Sequence, residues 1–335
     1  MTQPNFGLSL NNRLAVCSGK YSIKELLKLA ELADSTNLHS IWVGDSLIDS
    51  PRYEPLALLG AISQRTSNIK IGGSIIQPHF RNPIMLALSW ATLDILSNGR
   101  TILTLGIGGG TPTGVKKEAE LMGISPKKRG KALEETIQIL RKLWEGDVLN
   151  FKGEIYEFEE VKIGYLPKQK YVPIWIAAGM LVPKNATVSA TPGYTSKTGI
   201  YMGAFERVAK FGDGWFTIMA KPDEFKKAWS TISDIAKKEG RDPNTIVKSI
   251  EFWISLDSDR ERAKGRLKQV IELYFGNPVD YETIERWSIY GTRSDCIEKI
   301  ETYKKAGVDL IKLVIGSIDP IEMYHEIVNS ILSSF

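Results

Sequence analysis

Short apolar runs alternate with amphipathic segments along the whole chain. The runs that we predict to be strands span residues 5–10, 40–43, 69–77, 101–107, 173–179, 214–219, 249–256 and 309–315. Runs of this length without polar alternation are typical of parallel strands that are buried on both faces, and the segments between them carry apolar residues at helical spacing. Eight strand–helix units in 335 residues predict an α/β fold, a (β/α)8 barrel with insertions. No linker divides the chain, so we expect one domain over residues 1–335.

The stretch 82–110 carries one complete unit of this pattern. Asn82 can cap a helix, Pro83 suits its first turn, and Gly99 supplies a positive-φ residue at its end. The strand that follows ends in the glycines of the sequence GIGGG, which allow a ligand to approach the backbone closely. The spacing does not match the dinucleotide-binding fingerprint, because Thr111 stands where its third glycine would be.

Three segments depart from the strand–helix alternation. Residues 151–164 alternate apolar and polar positions, which predicts a small hairpin. Residues 180–198 fit no periodicity, and loops of that length are usually functional, so we predict a mobile insertion there. Residues 277–291 are expected to form an irregular connection.

Composition and charge exclude several classes of function. The 43 lysines and arginines are interleaved with 39 acidic residues, for a net charge of +4, which disfavours a nucleic-acid partner. Cys17 and Cys296 match no metal or redox spacing, and three unclustered histidines predict no metal site. The start of the chain lacks the features of a signal peptide, and no apolar run reaches about 18 residues. We therefore expect a soluble, cytoplasmic protein that acts on a small molecule without a membrane partner.

Candidate catalytic groups are few, and they lie where strands are predicted to end. Asp45 and Ser46 follow the second strand, and His79 follows the third. In a (β/α)8 barrel such positions face the active end, but Asp45 could equally cap a helix and His79 could be a solvated loop residue. Lys221, after the sixth strand, could bind phosphate or lie on the surface. Because acid–base groups are scarce, we expect a bound cofactor to supply the chemistry.

Five segments resemble, in the same order, the bacterial-luciferase-like superfamily of flavin and deazaflavin oxidoreductases. They are SIWVGDS, IKIGGSIIQPHFRNPIMLALSWATLDILSNGRTILTLGIGGG, PIWIAAG, AKFGDGWF and YGTRSDCIEKIETYKKAGVDLIKL. Within the superfamily, QRTSNIKIGGSIIQPHFRNP resembles members that use coenzyme F420, an 8-hydroxy-5-deazaflavin. The resemblance implies hydride transfer between this cofactor and a small organic substrate. A pterin of the methylenetetrahydromethanopterin type is the first candidate.

The resemblance also implies a set of cofactor-binding positions. Such members carry a non-proline cis peptide in the third strand, where a bulge supports the back of the deazaflavin ring, and the matching bond is Ser74-Ile75. The surroundings of the cofactor phosphate match Ala177, Ala178 and Gly179, together with a helix that opens near Gly199. Backbone N–H groups and a helix N-terminus are suited to that charge. Lys221 matches a lysine near the cofactor tail. The predicted cofactor-binding residues are Gly73, Ser74, Ile75, Gly106, Gly108, Gly109, Ala177, Ala178, Gly179, Gly199 and Lys221.

Two positions depart from patterns common among these relatives. Ser46 stands where many of them have a histidine, and Thr111 stands where sugar-phosphate dehydrogenases carry an acid. These departures disfavour sugar-phosphate oxidation and favour hydride transfer with little acid–base help, as at an iminium-like pterin carbon.

Two alternative functions remain open beside hydride transfer with F420, and the resemblance also implies an oligomeric state. The same barrel suits a monooxygenase that uses reduced FMN and O₂, so FMN is the alternative cofactor. A barrel that binds a flavin without catalysis is the alternative from another class. The relatives that the segments resemble are commonly homodimers or homotetramers, so we also expect a homo-oligomer.

Overall fold

Strands and helices alternate along the chain in this computed structural model, which describes residues 5–19, 22–36, 38–109, 112–179 and 202–335. The strands are β1 (Asn5–Leu10), β2 (Ser40–Val43), β3 (Lys70–Ile76), β4 (Thr101–Leu105), β5 (Leu149–Lys152), β6 (Glu157–Val161), β7 (Ile174–Ala177), β8 (Gly214–Ile218), β9 (Val247–Leu256), β10 (Ser288–Gly291) and β11 (Leu310–Ile315). The helices are α1 (Leu14–Cys17), α2 (Ile23–Ser35), α3 (Pro55–Arg65), α4 (Pro83–Leu96), α5 (Pro112–Leu121), α6 (Arg129–Glu145), α7 (Met202–Phe211), α8 (Pro222–Lys238), α9 (Arg260–Phe275), α10 (Tyr281–Trp287), α11 (Arg293–Lys305) and α12 (Pro320–Ser330). Short 3₁₀ turns lie at Pro78–Phe80, Pro126–Lys128, Pro243–Thr245 and Leu332–Ser334.

Eight parallel strands close into a barrel. In order around the barrel these are β1, β2, β3, β4, β7, β8, β9 and β11, and β11 pairs with β1 to close it. This confirms the predicted (β/α)8 fold. The predicted hairpin is also confirmed, because β5 and β6 pair antiparallel outside the barrel.

The connection between β9 and β11 differs from the prediction. It was expected to be irregular over residues 277–291, but it contains helix α10 and strand β10. Val247–Glu251 of β9 pairs with β8, whereas Trp253–Leu256 pairs with β10. A strand as short as Ser288–Gly291, with no turn signal before it, is defined by its partner rather than by its own periodicity. Helices α1 and α5 were not predicted either.

Helix α4 shows how local sequence sets the element boundaries. The Asn82 side chain accepts from the Ile84 N–H at 2.9 Å, and Pro83 occupies the first turn. Asn98 and Gly99 follow the helix with φ of 58° and 82°. These left-handed residues stop the helix and direct the chain into β4, as the sequence predicted.

The interior of the barrel is packed by aromatic rings. The rings of Trp42 and Trp175 lie 5.2 Å apart, and Gly72 on β3 leaves room for the first of them. A Cβ added at Gly72 would lie 2.5 Å from a carbon of the Trp42 ring. The glycine in this strand therefore serves close packing, which explains its place in an otherwise apolar run. None of the helices within the described ranges is long and apolar enough to cross a membrane.

Candidate active site

A cavity of about 210 Å³ lies at the C-terminal ends of the barrel strands. This is the end at which (β/α)8 enzymes place their active sites. The predicted site residues that line the cavity are Asp45, Ser46, Ser74, Ile75, Gly108, Gly109, Ala177 and Gly179. The structure therefore brings residues from the ends of β2, β3, β4 and β7 to one place.

The β3 side of the cavity has the predicted backbone form. The Ser74-Ile75 peptide bond is cis, and the register between β3 and β4 shifts between Ser74 and Ile76. The cis bond and the bulge predicted from the family resemblance are thus confirmed. Gly106 of the neighbouring loop makes room for this strand, because an added Cβ would lie 2.5 Å from Ile75 Cδ1.

The glycine loop after β4 is held close to the loop after β3. Gly108 has φ of 73°, and a Cβ there would lie 1.7 Å from Oε1 of Gln77. The Gln77 amide nitrogen in turn donates to the Asp45 carbonyl at 3.1 Å. From the other side, the Arg129 guanidinium donates to the carbonyls of Ile107 and Gly108. The backbone of this loop is therefore fixed on both sides, and a side chain at Gly108 would disrupt it.

Asp45 is engaged in a buried ion pair. Its Oδ2 accepts from Arg81 Nη1 at 2.6 Å and from the Gln77 backbone N–H at 3.0 Å, and its Oδ1 accepts from Arg81 Nη2 at 3.3 Å. Burial raises the pKa of Asp45, although Arg81 opposes that shift. Asp45 and Glu54 hold the pKa of Arg81 above its usual value despite its burial. Since both carboxylate oxygens are bonded, we expect Asp45 to position the loop rather than to exchange protons.

Ser46 is also held by a structural contact. Its hydroxyl donates to Glu118 Oε1 at 3.2 Å, and the same oxygen accepts from the backbone N–H groups of residues 47, 48 and 49. Glu118 lies on α5, one of the helices missed in the sequence, and is only 4% exposed. The loop after β2 is therefore organised by a carboxylate about seventy positions away in the chain.

Several predicted site residues lie away from the cavity. Among the described residues, Gly73, Gly106, Ala178 and His79 do not line it, and Lys221 lines a separate cavity with Arg260 and Tyr290. The two glycines accommodate the side chains of Ile76 and Ile75 instead. Ala178 forms backbone hydrogen bonds with Phe216 and with the Trp215 indole. Gly199, Thr111 and the predicted insertion at 180–198 lie outside the described residues.

Two charged side chains that the sequence analysis did not single out lie inside the barrel. Lys312 on β11 and Glu251 on β9 are direct neighbours in the strand register. Lys312 is fully buried, and its Nζ donates to Ser74 Oγ at 3.0 Å. Ser9 Oγ donates to Glu251 Oε2 at 2.6 Å, and Glu251 lines the cavity. A polar path therefore runs from the barrel interior to the cavity.

Burial favours the neutral forms of both charged groups. It raises the pKa of Glu251, against the opposing effects of Ser9, Lys312 and Arg52. It lowers the pKa of Lys312 well below the usual range, and Glu251 opposes that shift. A carboxyl with a raised pKa titrates nearer to neutral pH and can exchange a proton with a bound molecule. Glu251 is thus a candidate acid–base group of the cavity that the sequence analysis did not single out.

Comparison with known proteins places this geometry in a family. The model of the luciferase-like monooxygenase family matches residues 4–200 of the chain. The chain belongs to this family. The superfamily resemblance inferred from the sequence segments is confirmed.

Members of this family that resemble the chain include F420-dependent enzymes. An F420-dependent glucose-6-phosphate dehydrogenase of Amycolatopsis mediterranei (strain U-32) is 28% identical over 305 residues, which cover 87% of this chain and 88% of the relative. A 5,10-methylenetetrahydromethanopterin reductase of Archaeoglobus fulgidus is 26% identical over 330 residues, which cover 88% and 89%. A solved F420-dependent secondary alcohol dehydrogenase, in complex with an F420-acetone adduct, has a TM-score of 0.77 at 21% identity over the whole of both chains. This last likeness shows the shared luciferase-like fold.

His79 of this luciferase-like chain is a buried, neutral histidine. It is 3% exposed, its ring lies 4.5 Å from that of Phe80, and its Nδ1 has no hydrogen-bond partner among the described residues. Burial, together with the positive charges of Arg129 and Arg81, lowers the pKa of His79 to about 3. This environment suits a packing role and not the general acid or base that the sequence offered as one interpretation.

The environment of His79 predicts a pH-dependent loss of stability. Above pH 6.5 the imidazole is neutral in both the folded and the unfolded state, so it imposes no cost. Below that pH the unfolded state binds a proton that the folded state does not, until the pH reaches about 3. The free energy of unfolding should therefore fall by about 1.4 kcal/mol per pH unit for this group.

Urea unfolding of the wild type and of His79→Phe at several pH values between 7 and 4 measures this effect. We expect a shallower pH dependence in His79→Phe. His39, whose pKa burial lowers to about 4, contributes a similar slope in both proteins. Exposed His325 provides the control, and His325→Gln should keep the wild-type slope. Equal slopes for His79→Phe and the wild type would contradict the buried neutral state.

Proposed function

We propose that the chain is an oxidoreductase that transfers a hydride between coenzyme F420 and a small organic substrate. The observation that carries the proposal is the side of the cavity formed by Ser74, Ile75, Gly108, Gly109 and Gly179. These small or backbone-presenting residues leave a surface that a flat ring system can approach closely. The names of the F420-dependent relatives support the same cofactor.

The residues present fit the ring portion of the cofactor. The cavity has a volume of about 210 Å³. Sites that hold a whole ligand have volumes of roughly 300–1,000 Å³, so this cavity is of a size for part of the cofactor, its ring system. Ser74 and Ile75 would lie behind the ring, and the glycine backbone at 108 and 109 would lie beside it. A Cβ at Gly108 would meet Gln77, so the open surface depends on glycine at that position.

The chain would contribute orientation, exclusion of water and a proton. When bound, the deazaflavin supplies the hydride or accepts it. Lys312 fixes the Ser74 hydroxyl by donating to it, and the Asp45–Arg81 pair fixes the loop that carries Gln77. Preorganised contact of this kind can lower a barrier by about 7–11 kcal/mol. Glu251 would give a proton to the substrate heteroatom that takes up the π-electron pair when the hydride adds to the neighbouring carbon, and would remove that proton in the reverse direction.

We further propose two candidate substrates, in order of preference. A methylenetetrahydromethanopterin-type pterin is the first candidate, because the segments quoted from the sequence resemble reductases of that kind and one relative bears that name. A sugar phosphate is the second, because another relative is a glucose-6-phosphate dehydrogenase. The sequence analysis disfavoured sugar-phosphate oxidation because Ser46 and Thr111 replace acid–base groups. Glu251 weakens that argument, because it could exchange the proton that such a substrate requires.

Parallel titration with F420 and FMN tests the cofactor. We expect the purified protein to bind F420 with a change in its absorbance, to bind FMN more weakly, and to turn over substrate without consuming oxygen. Tight binding of FMN without binding of F420 would contradict the proposal. Oxygen uptake driven by reduced FMN would support the alternative, a luciferase-like monooxygenase.

A pair of glycine variants controls this titration. Gly108 and Gly240 both have positive φ, at 73° and 74°, but only Gly108 lies at the cavity, and a Cβ at Gly240 would meet no atom within 4 Å. We expect Gly108→Ala to lose F420 binding and Gly240→Ala to retain it at the wild-type affinity. Similar affinities in both variants would show that the loop after β4 does not contact the cofactor.

A further inference from the structure

Two arginines line the cavity without a carboxylate partner. Arg13 lies just before α1, and Arg52 lies in the loop between β2 and α3; both side chains are half-buried and both line the cavity. Within the described ranges neither forms an ion pair. By contrast, Arg81, the partner of Asp45, pairs with two carboxylates. Half-buried guanidinium groups without counter-ions are costly, so a cavity that keeps two of them near one tyrosine ring favours an anionic ligand.

The two guanidinium groups are held in place by neutral contacts. Arg13 Nη1 donates to Ser50 Oγ at 2.8 Å, and Arg52 Nη2 donates to Tyr274 Oη at 2.6 Å. The Tyr274 ring lies against both groups, with its centroid 4.6 Å from Arg13 Cζ and 5.5 Å from Arg52 Cζ. The Nε of each is buried and has no partner among the described residues. The contacts orient the guanidinium groups and use one Nη of each, so the other Nη of each arginine is left for a ligand.

The charges around the pair favour an anion at this place. Asp45, one of the two carboxylates among the described residues of the cavity, is neutralised by Arg81. The other, Glu251, lies close enough for Arg52 to lower its pKa but not close enough for an ion pair, and burial raises that pKa. Guanidinium groups bind carboxylate and phosphate oxygens through paired N–H donors, which gives both affinity and orientation.

The pair also lies on the opposite side of the barrel from the predicted cofactor phosphate. The family resemblance places that phosphate at Ala177–Gly179, after β7. Arg13 and Arg52 follow β1 and β2, and β1 and β7 are separated by three strands in either direction around the barrel. An anion bound at the arginine pair would therefore be a group of the substrate and not the cofactor phosphate.

We propose that Arg13 and Arg52 form a subsite that binds an anionic group, a carboxylate or a phosphate, of the substrate. That the anion is part of the substrate rests on the proposed function, whereas the anion site itself is defined by the two arginines. Tyr274 and the neighbouring Phe275 and Trp287 also line the cavity, so the anionic group would lie beside an aromatic surface that can hold an apolar part of the same molecule.

Anion titrations of the F420-loaded protein test the subsite. Sodium benzoate and inorganic phosphate are the two probes, and the stronger binder identifies the group. We expect Arg13→Gln and Arg52→Gln each to weaken binding of the stronger probe by about tenfold, the scale of one charge-assisted contact, and the double variant by about a hundredfold. Arg13→Lys and Arg52→Lys should restore part of the affinity. Arg65→Gln, at a surface arginine paired with Glu31, should change nothing.

The same variants separate the possible outcomes. Absence of binding of either probe to the wild type, or equal binding to the wild type and the double variant, would overturn the proposal. Weaker binding of F420 in the double variant, with unchanged binding of the deazaflavin riboside that lacks phosphate and tail, would overturn it in favour of a cofactor-tail site. The anion titrations are repeated on the protein without F420, to separate failure of the proposed function from failure of the anion site. If the proposed function is wrong, F420 does not bind. In that case the arginine effects should persist although the cofactor does not bind. Where a substrate is found, the variants should raise its KM by more than they lower kcat.

Discussion

Asp45→Ala should lower the free energy of unfolding by about 3 kcal/mol, the lower end of the range for a broken buried ion pair. The substitution removes a carboxylate that is 5% exposed and leaves Arg81 with only Glu54, a partner 2.7 Å away at the surface. It also removes the acceptor of the Gln77 backbone N–H, so the loop that contacts Gly108 loses its support. Urea denaturation of the wild type and the variant measures the change.

A surface ion pair provides the matched control for Asp45. Glu31 accepts from Arg65 at 2.8 Å, a distance similar to that in the buried pair, but the Arg65 side chain is 59% exposed and that of Glu31 30% exposed. Glu31→Ala should leave the stability nearly unchanged, because exposed pairs contribute little. If Asp45→Ala were instead as stable as the wild type but had lost activity with an altered pH profile, Asp45 would be a proton-transfer group, the role suggested by its place after the second strand.

With a substrate that gains or loses a proton along with the hydride, Glu251→Gln should lower kcat by about 10²–10⁴-fold, the usual contribution of a positioned acid or base. The amide keeps the size of the side chain and can still accept from Ser9, so we expect the protein to fold and to bind F420 normally. Because burial raises the pKa of Glu251, the wild-type kcat in the direction that needs the protonated acid should fall as the pH rises through that pKa. The variant should lack this limb of the pH profile.

A second buried glutamate controls for the loss of charge alone. Glu135 on α6 is 1% exposed and accepts from the backbone N–H groups of residues 154, 155 and 156, away from the cavity. Glu135→Gln should reduce stability but leave kcat and its pH profile unchanged. Equal kcat values for Glu251→Gln and the wild type, with the same pH profile, would show that substrate protons are exchanged elsewhere.

The barrel could be predicted from the sequence because its strands are local signals. Each is a short apolar run, and residues such as Asn82 and Gly99 mark helix boundaries by side-chain capping and positive φ, which depend on near neighbours only. The same holds for the glycine loop after β4 and for Ser74-Ile75, where the family resemblance adds the backbone form. By contrast, β10 could not be predicted, because four residues become a strand only by pairing with β9.

The chemistry of the cavity was less predictable because it depends on contacts between distant residues. Asp45 and His79 are candidates because they follow strands. The sequence does not show that Arg81 bonds to Asp45 or that packing buries His79. Glu251 and Lys312 left a signal that could have been used. Each is a single charged residue inside an apolar run, in SIEFWISL and in LIKLVI, and such a residue is rarely buried without a partner or a function.

The two ends of segment 257–291, which runs from the end of β9 through α9 and α10 to the last residue of β10, are in direct contact. The Asp257 N–H donates to the Gly291 carbonyl at 3.0 Å, while the segment between them supplies Tyr274, Phe275 and Trp287 to the cavity. The segment therefore leaves and rejoins the barrel at one place, but it also contributes to the core, because Leu267 and Ile271 of α9 are fully buried. We therefore expect an exchange of this segment to alter the aromatic wall of the cavity, and to preserve the eight barrel strands only where the buried residues of α9 are retained.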